Sequence, residues 1–197
     1  MYLYIHGFNS APASVKARQL QTRLALAGRG GEFTCPALSH WPDGAMAQLE
    51  SIVAAAPQTS PPVLVGSSLG GFYATWLAER HGCRAVLVNP AITPHLGLHS
   101  YLGPQRNLHT GEAYSLTPAH LDQMRAYAVA QPTRMERYLV MVTTGDELLD
   151  WRVTMAHYPG ARSVVVQGSD HGFTDFEQHL EAVLAFGDTA AASGQPL

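Results

Sequence analysis

The stretch that most limits what this chain can fold into is Val63-Leu64-Val65-Gly66-Ser67-Ser68-Leu69-Gly70-Gly71. Its three leading apolar residues read as a strand buried on both faces. A helical pattern follows at once and runs to about His81, with no room for a loop between the two. A strand that feeds straight into a helix belongs to a βαβ unit, so its neighbours should be parallel strands joined by crossover helices. The rest of the chain fits. Short apolar runs at 2–5, 85–88, 138–143 and 163–167, and a weaker one at 32–35, alternate with helical patterns at 14–27, 43–56 and 175–186. Ser14 reads as an N-cap and Gly28 lies just past the end of that helix. Leu20, Leu24 and Ala27 share one face of it, as Met46, Leu49, Ile52 and Val53 do on the next. The expected architecture is α/β: a mostly parallel six-stranded sheet with helices on both faces.

One segment breaks the rhythm. Residues 91–137 lie between two strands and are too long for an ordinary connection. They carry Pro94, Gly97, Gly103, Pro104, Gly111, Pro118 and Pro132, with a helix expected over about 119–130. Pro94 and Gly97 argue against a helix around His95 and His99, whose spacing is the sole hint of a metal site. We read the segment as a cap insertion within one domain spanning 1–186. Its apolar Ile92, Leu96, Leu98, Tyr101 and Leu102 should pack on the sheet end or line a pocket, and its prolines and glycines suit an adaptable lid. The tail, 187–197, is small and polar and is expected to fray.

Composition narrows the function. The net charge of −3, with no long run of one sign, lacks the basic footprint of a nucleic-acid binder. No segment has the apolar length of a membrane span, and the start lacks the pattern of a signal peptide, so the cytoplasm is the expected compartment. Cys35 and Cys83 are expected to be buried thiols rather than a disulfide. Lys16, the one lysine in the chain, reads as base composition rather than function. The sequence sets no oligomeric state.

Four loops carry chemistry, and all follow strand ends. Gly66-Ser67-Ser68-Leu69-Gly70 is a G-x-S-x-G elbow in the required strand–helix context, with Ser68 as the candidate nucleophile. Ser67 sits at an x position, so its side chain should point elsewhere. His6-Gly7-Phe8 follows the first strand. There the Phe8 amide, with that of Leu69, is the candidate oxyanion hole, while His6 is expected to order the loop. Thr144-Gly145-Asp146-Glu147 supplies a candidate acid, Asp146. Glu147 and Asp150 are its rivals, and Glu147 is expected to face solvent. Ser169-Asp170-His171-Gly172-Phe173 supplies His171 as candidate base. Ser68, Asp146 and His171 occur in the chain order of α/β hydrolases. Their loops share the strand edge where open α/β sheets bind ligands.

Tyr4-Ile5-His6-Gly7-Phe8-Asn9-Ser10-Ala11-Pro12, followed by Ser14-Val15-Lys16-Ala17, resembles the opening of the YqiA/YcfP-type esterases, small bacterial α/β hydrolases. Gly66-Ser67-Ser68-Leu69-Gly70-Gly71-Phe72-Tyr73-Ala74, Asn89-Pro90-Ala91, Thr110-Gly111-Glu112, Thr144-Gly145-Asp146-Glu147-Leu148-Leu149-Asp150 and His171-Gly172-Phe173 extend the resemblance over nearly the whole chain. It implies an esterase with Ser68 as nucleophile, Asp146 as acid and His171 as base, and a fold without the two leading strands of larger α/β hydrolases. The strand order is then expected to be 2-1-3-4-5-6. It also implies short acyl esters or acyl-CoA as substrates. The expected activity is cleavage of a small ester or thioester through an acyl-enzyme, a chemistry that needs no cofactor and no metal. A non-catalytic scaffold that binds a ligand or partner, and a lyase or acyl-transfer enzyme built on the same site, share the fold and stay open.

Overall fold

A computed structural model describes residues 1–192. In chain order the strands and helices are β1 (Tyr2–Ile5), α1 (Val15–Leu26), β2 (Phe33–Thr34), α2 (Pro42–Ala55), β3 (Val63–Ser67), α3 (Leu69–His81) and β4 (Arg84–Val88), then α4 (Pro94–Gly97), β5 (Gly103–Arg106), β6 (Ala113–Leu116), α5 (Pro118–Ala126), β7 (Tyr138–Thr143), α6 (Trp151–His157), β8 (Arg162–Val166) and α7 (Leu180–Ala192). The main sheet has six strands in the order β2-β1-β3-β4-β7-β8, all paired in parallel. It departs from the expected 2-1-3-4-5-6 only in numbering, because β5 and β6 intervene as a separate antiparallel hairpin.

Alternation along the strands divides the core. Leu3 and Ile5 of β1 face a cluster that includes Met46 and Leu49 of α2 and Phe72 and Leu77 of α3. Tyr2 and Tyr4 face the opposite layer, made by Leu20 and Leu24 of α1 and Val183 and Leu184 of α7. Every residue of β1, β3 and β7 is buried, which explains why these strands read as unbroken apolar runs. No helix among the described residues is long and apolar enough to cross a membrane.

Several expectations need correction. The tail does not fray at 187: α7 continues to Ala192. Gly187 looked like a stop, but it is where the helix crosses β1, and a Cβ there would stand 2.2 Å from the Tyr2 hydroxyl. One residue on, Asp188 accepts two bonds from Arg29, both of 2.9 Å. Residues 193–197 lie outside the described part. Around His95, Pro94 does not prevent a helix. It opens the single turn α4, at a position whose amide needs no partner. The helix expected at 119–130 ends at Ala126. Ser14 precedes α1 as expected, yet its hydroxyl makes no capping bond. Cys83 is buried but Cys35 only partly, and both are free thiols.

Candidate active site

The elbow forms as the sequence requires. Ser68 follows β3 and caps α3 with φ 54° and ψ −121°, a conformation that residues other than glycine rarely hold. The turn is tight enough that a Cβ on Gly70 would fall 1.9 Å from the Ile5 carbonyl oxygen, and one on Gly66 would fall 2.3 Å from that of Gly70. The backbone of Ser68 is tied to the next strand, its amide donating to Val88 O at 3.0 Å and its carbonyl accepting from Ala91 N at 3.1 Å. Strain at one residue is thus held by the bonds of its neighbours.

The three candidate residues, up to 103 positions apart in sequence, meet in space. Ser68 Oγ lies 3.0 Å from His171 Nε2, and His171 Nδ1 lies 2.8 Å from Asp146 Oδ2. The Asp146 carboxylate is almost wholly covered, at 2% side-chain exposure against 17% for His171. Burial by itself would raise the Asp146 pKa. The bond to His171 and the amides of Leu149 and Leu148 outweigh it and hold the carboxyl below its ordinary range. An ionised Asp146 only accepts hydrogen bonds. The imidazole proton therefore sits on Nδ1, and Nε2 is left to accept from Ser68.

Glu147 is exposed, as expected, but it is not idle. Its Oε2 accepts the backbone amide of His171 at 3.0 Å, while Asp146 takes the ring. Asp150 caps α6 by accepting from Arg152 N at 2.9 Å. Ser67 is buried at the end of β3.

The loop carrying His171 is held by groups that sequence reasoning missed. Three successive carbonyls are each captured by a side chain. Asn89 Nδ2 donates to Asp170 O and to His171 O, both at 3.2 Å, and the Lys16 ammonium donates to Gly172 O. Asn89 sits at φ 41° and is 2% exposed. Its amide also joins the loop to β7: Thr143 N donates to Asn89 Oδ1 at 3.0 Å, and Nδ2 donates to Thr143 Oγ1 at 3.1 Å. Thr143 is the last residue of the strand that delivers Asp146. One buried amide therefore connects the strand before Asp146, the candidate acid, with the loop of His171, the candidate base. Burial lowers the Lys16 pKa, and the negative charges of Asp170 and Asp146 work against that shift. The signals in sequence were an Asn-Pro pair ending a strand and a solitary lysine.

The candidate oxyanion loop, residues 6–10, is fixed from two sides. His6 Nδ1 lies 3.1 Å from Gly7 O, and His6 Nε2 accepts from Leu38 N at 3.3 Å. Burial holds His6 below the ordinary imidazole pKa, in keeping with this neutral form and its loop-ordering part. A Cβ on Gly7 would be 3.2 Å from Ser68 Cβ, so the loop runs directly beside the serine. Leu69, the first residue of α3, has an amide with no intrahelical acceptor. From the other side the hairpin grips Asn9. Tyr114 of β6 donates to Asn9 Oδ1 at 2.8 Å, Asn9 Nδ2 donates to Gln105 of β5 at 3.0 Å, and Leu108 N donates to Asn9 O at 2.9 Å. The insertion is pinned to this loop rather than hung free. Between them lies a cavity of about 30 Å³ whose walls include Phe8, Leu69, Tyr73, Tyr114 and Met124.

The chain is similar in structure to alpha/beta hydrolase domain-containing protein 10 from mouse, at 14% identity and a TM-score of 0.73 over 95% of this chain and 89% of that one. It is similar to Est1E from Butyrivibrio proteoclasticus at 16% identity and a TM-score of 0.68, over 97% of this chain and 88% of that one. The methylesterase MES16 from Arabidopsis matches at 15% identity and a TM-score of 0.61, covering 94% of this chain and 98% of that one. Likeness at such identities is likeness of fold, and the fold is that of the α/β hydrolases. Residues 1–188 match the profile of UPF0227, described as an uncharacterised protein family, and the chain belongs to that family, the YqiA/YcfP type it resembles in sequence.

Proposed function

We propose that the protein is a serine hydrolase that cleaves small carboxylic esters or thioesters through an acyl-enzyme. The observation that carries this reading is the unbroken path from Ser68 Oγ through the His171 ring to a buried, ionised Asp146, with bonds of 3.0 and 2.8 Å. In this mechanism Ser68 attacks the acyl carbonyl as its proton passes to His171 Nε2. Asp146 stabilises the imidazolium. The Phe8 and Leu69 amides receive the oxyanion. His171 then protonates the leaving alcohol or thiol, and water activated by the same ring releases the acid. Residues 91–137 act as a cap, since Tyr114 and Met124 from this segment wall the cavity beside the oxyanion loop. The free thiols of Cys35 and Cys83 fit a reducing compartment such as the cytoplasm.

The test is hydrolysis of 4-nitrophenyl acetate by the wild type and by Ser68→Ala. Loss of a nucleophile that acts as one unit with its base should lower kcat by roughly a millionfold. Comparable turnover in both proteins would overturn the reading.

A further inference from the structure

We propose that Tyr73 is a specificity-determining residue, its hydroxyl donating to an oxygen carried on a short acyl chain bound in the cavity beside the oxyanion loop. The inference rests on the serine-hydrolase reading and adds the substrate class to it.

Tyr73 lies in the first turns of α3, five residues after Ser68, and is 3% exposed. It forms part of the cavity wall. Its hydroxyl has no hydrogen-bond partner among the described residues yet keeps some accessible surface, so a small ligand can reach it. Most of the larger polar side chains of the wall are committed, while the Ser10 hydroxyl belongs to the loop itself. Both ring nitrogens of His6 are engaged, both ends of the Asn9 amide are bonded, and Tyr114 donates to Asn9. His40 stacks on Tyr114 at 3.9 Å, with its Nε2 3.2 Å from Glu112. Burial, and then the nearby Tyr127, Tyr114 and Asp43, raise the Tyr73 pKa. The phenol stays protonated and is a donor.

The position of the cavity decides which part of the substrate enters it. His171 must protonate the leaving group, so the leaving group lies on the His171 side of Ser68. The cavity is walled by residues 6–10 and 38–40, by Leu69 and Tyr73 of α3 and by the insertion, with no residue from the His171 loop. It therefore takes the acyl substituent. Its volume of about 30 Å³ sets the length. One water needs roughly 10–15 Å³ of such space, so two or three heavy atoms beyond the carbonyl fit. An alkoxyacyl or hydroxyacyl group of that size fills the space and supplies the missing acceptor.

Two pairs of 4-nitrophenyl esters of matched shape test this: methoxyacetyl against butyryl, and hydroxyacetyl against propionyl. For each pair the ratio of kcat/KM, oxygenated over all-carbon, is measured in the wild type and in Tyr73→Phe. Intrinsic reactivity cancels between the two proteins. Removing an unpartnered hydroxyl leaves the packing intact, and an unchanged Tm checks it. The ratio should fall about tenfold in Tyr73→Phe for at least one pair, the worth of one neutral hydrogen bond made in a dry site. Ratios equal in the two proteins for both pairs, including a uniform loss on all four esters, overturn the proposal. Ser68→Ala on the butyryl ester separates the failures. If that variant is dead and the ratios do not move, only the role of Tyr73 falls. If it still turns over, the hydrolase reading falls first.

Discussion

Replacing Asn89 should cost both stability and turnover, and the size follows from its bonds. Asn89→Gly keeps the left-handed backbone, at φ 41°, free of strain and removes only the amide. Asp170 O still accepts from Thr143 Oγ1 at 2.9 Å, so it keeps a partner. Thr143 N and His171 O lose theirs. Each orphaned group in a covered site costs about 1–3 kcal/mol, so the variant should lose about 2–6 kcal/mol, a large share of the ~5–15 kcal/mol that holds an ordinary domain. Asn89→Ala should lose about 1 kcal/mol more, because a Cβ is strained in that conformation. Urea unfolding gives the first number, and kcat on 4-nitrophenyl acetate reports whether His171 has shifted. In the proposed mechanism the imidazole acts in the transition state, so a slip of the His171 loop should lower kcat more than it raises KM. If Asn89→Gly loses under about 1 kcal/mol and keeps its kcat, the amide does not hold the two loops together, and the reasoning fails.

Asp146→Asn should lower kcat by about 10⁴, whereas Glu147→Gln, which keeps an oxygen to accept the His171 amide, should stay within about tenfold. The reverse ranking would make Glu147 the acid. Lys16→Met should lower kcat roughly tenfold by freeing the Gly172 carbonyl, with Lys16→Arg restoring part of the loss; equal effects of the two would argue against the charged bond. Stability should fall on acidification. Burial holds His6, His95, His120 and His157 below the ordinary imidazole pKa, so the folded state stays neutral where the unfolded chain takes up protons. That contribution is complete above about pH 6.5 and is lost as the pH falls from there. The depressed Asp146 adds a second loss below about pH 4. Urea midpoints that hold level or rise between pH 7.5 and 5.5 would contradict this.

The parts of the fold legible in sequence are those with one dominant driving force. β3, α3 and β7 are fully buried or tightly constrained, and their boundaries followed from apolar runs and from the elbow. The β5–β6 hairpin was missed because it carries little of that signal. Its strands show Pro104, Gln105, Arg106 and Ser115, and of their residues only Leu116 is buried. What holds it is tertiary, the grip on Asn9. The helix α6 was missed because it has only seven residues, and its cap, Asp150, was weighed as an acid instead. The candidate triad was legible because its residue types and order are unusual together. Asn89 and Lys16 were not, since a carbonyl captured by a distant side chain leaves no local pattern.

The claim most open to direct measurement is that Ser68 is the nucleophile. Intact mass and peptide mapping after treatment with a fluorophosphonate should show one adduct per chain, on the peptide bearing Ser68 and assigned to that residue by fragmentation. The adduct should be absent from Ser68→Ala. Labelling that persists in the variant, or that maps to Ser67 in the wild type, would contradict the account.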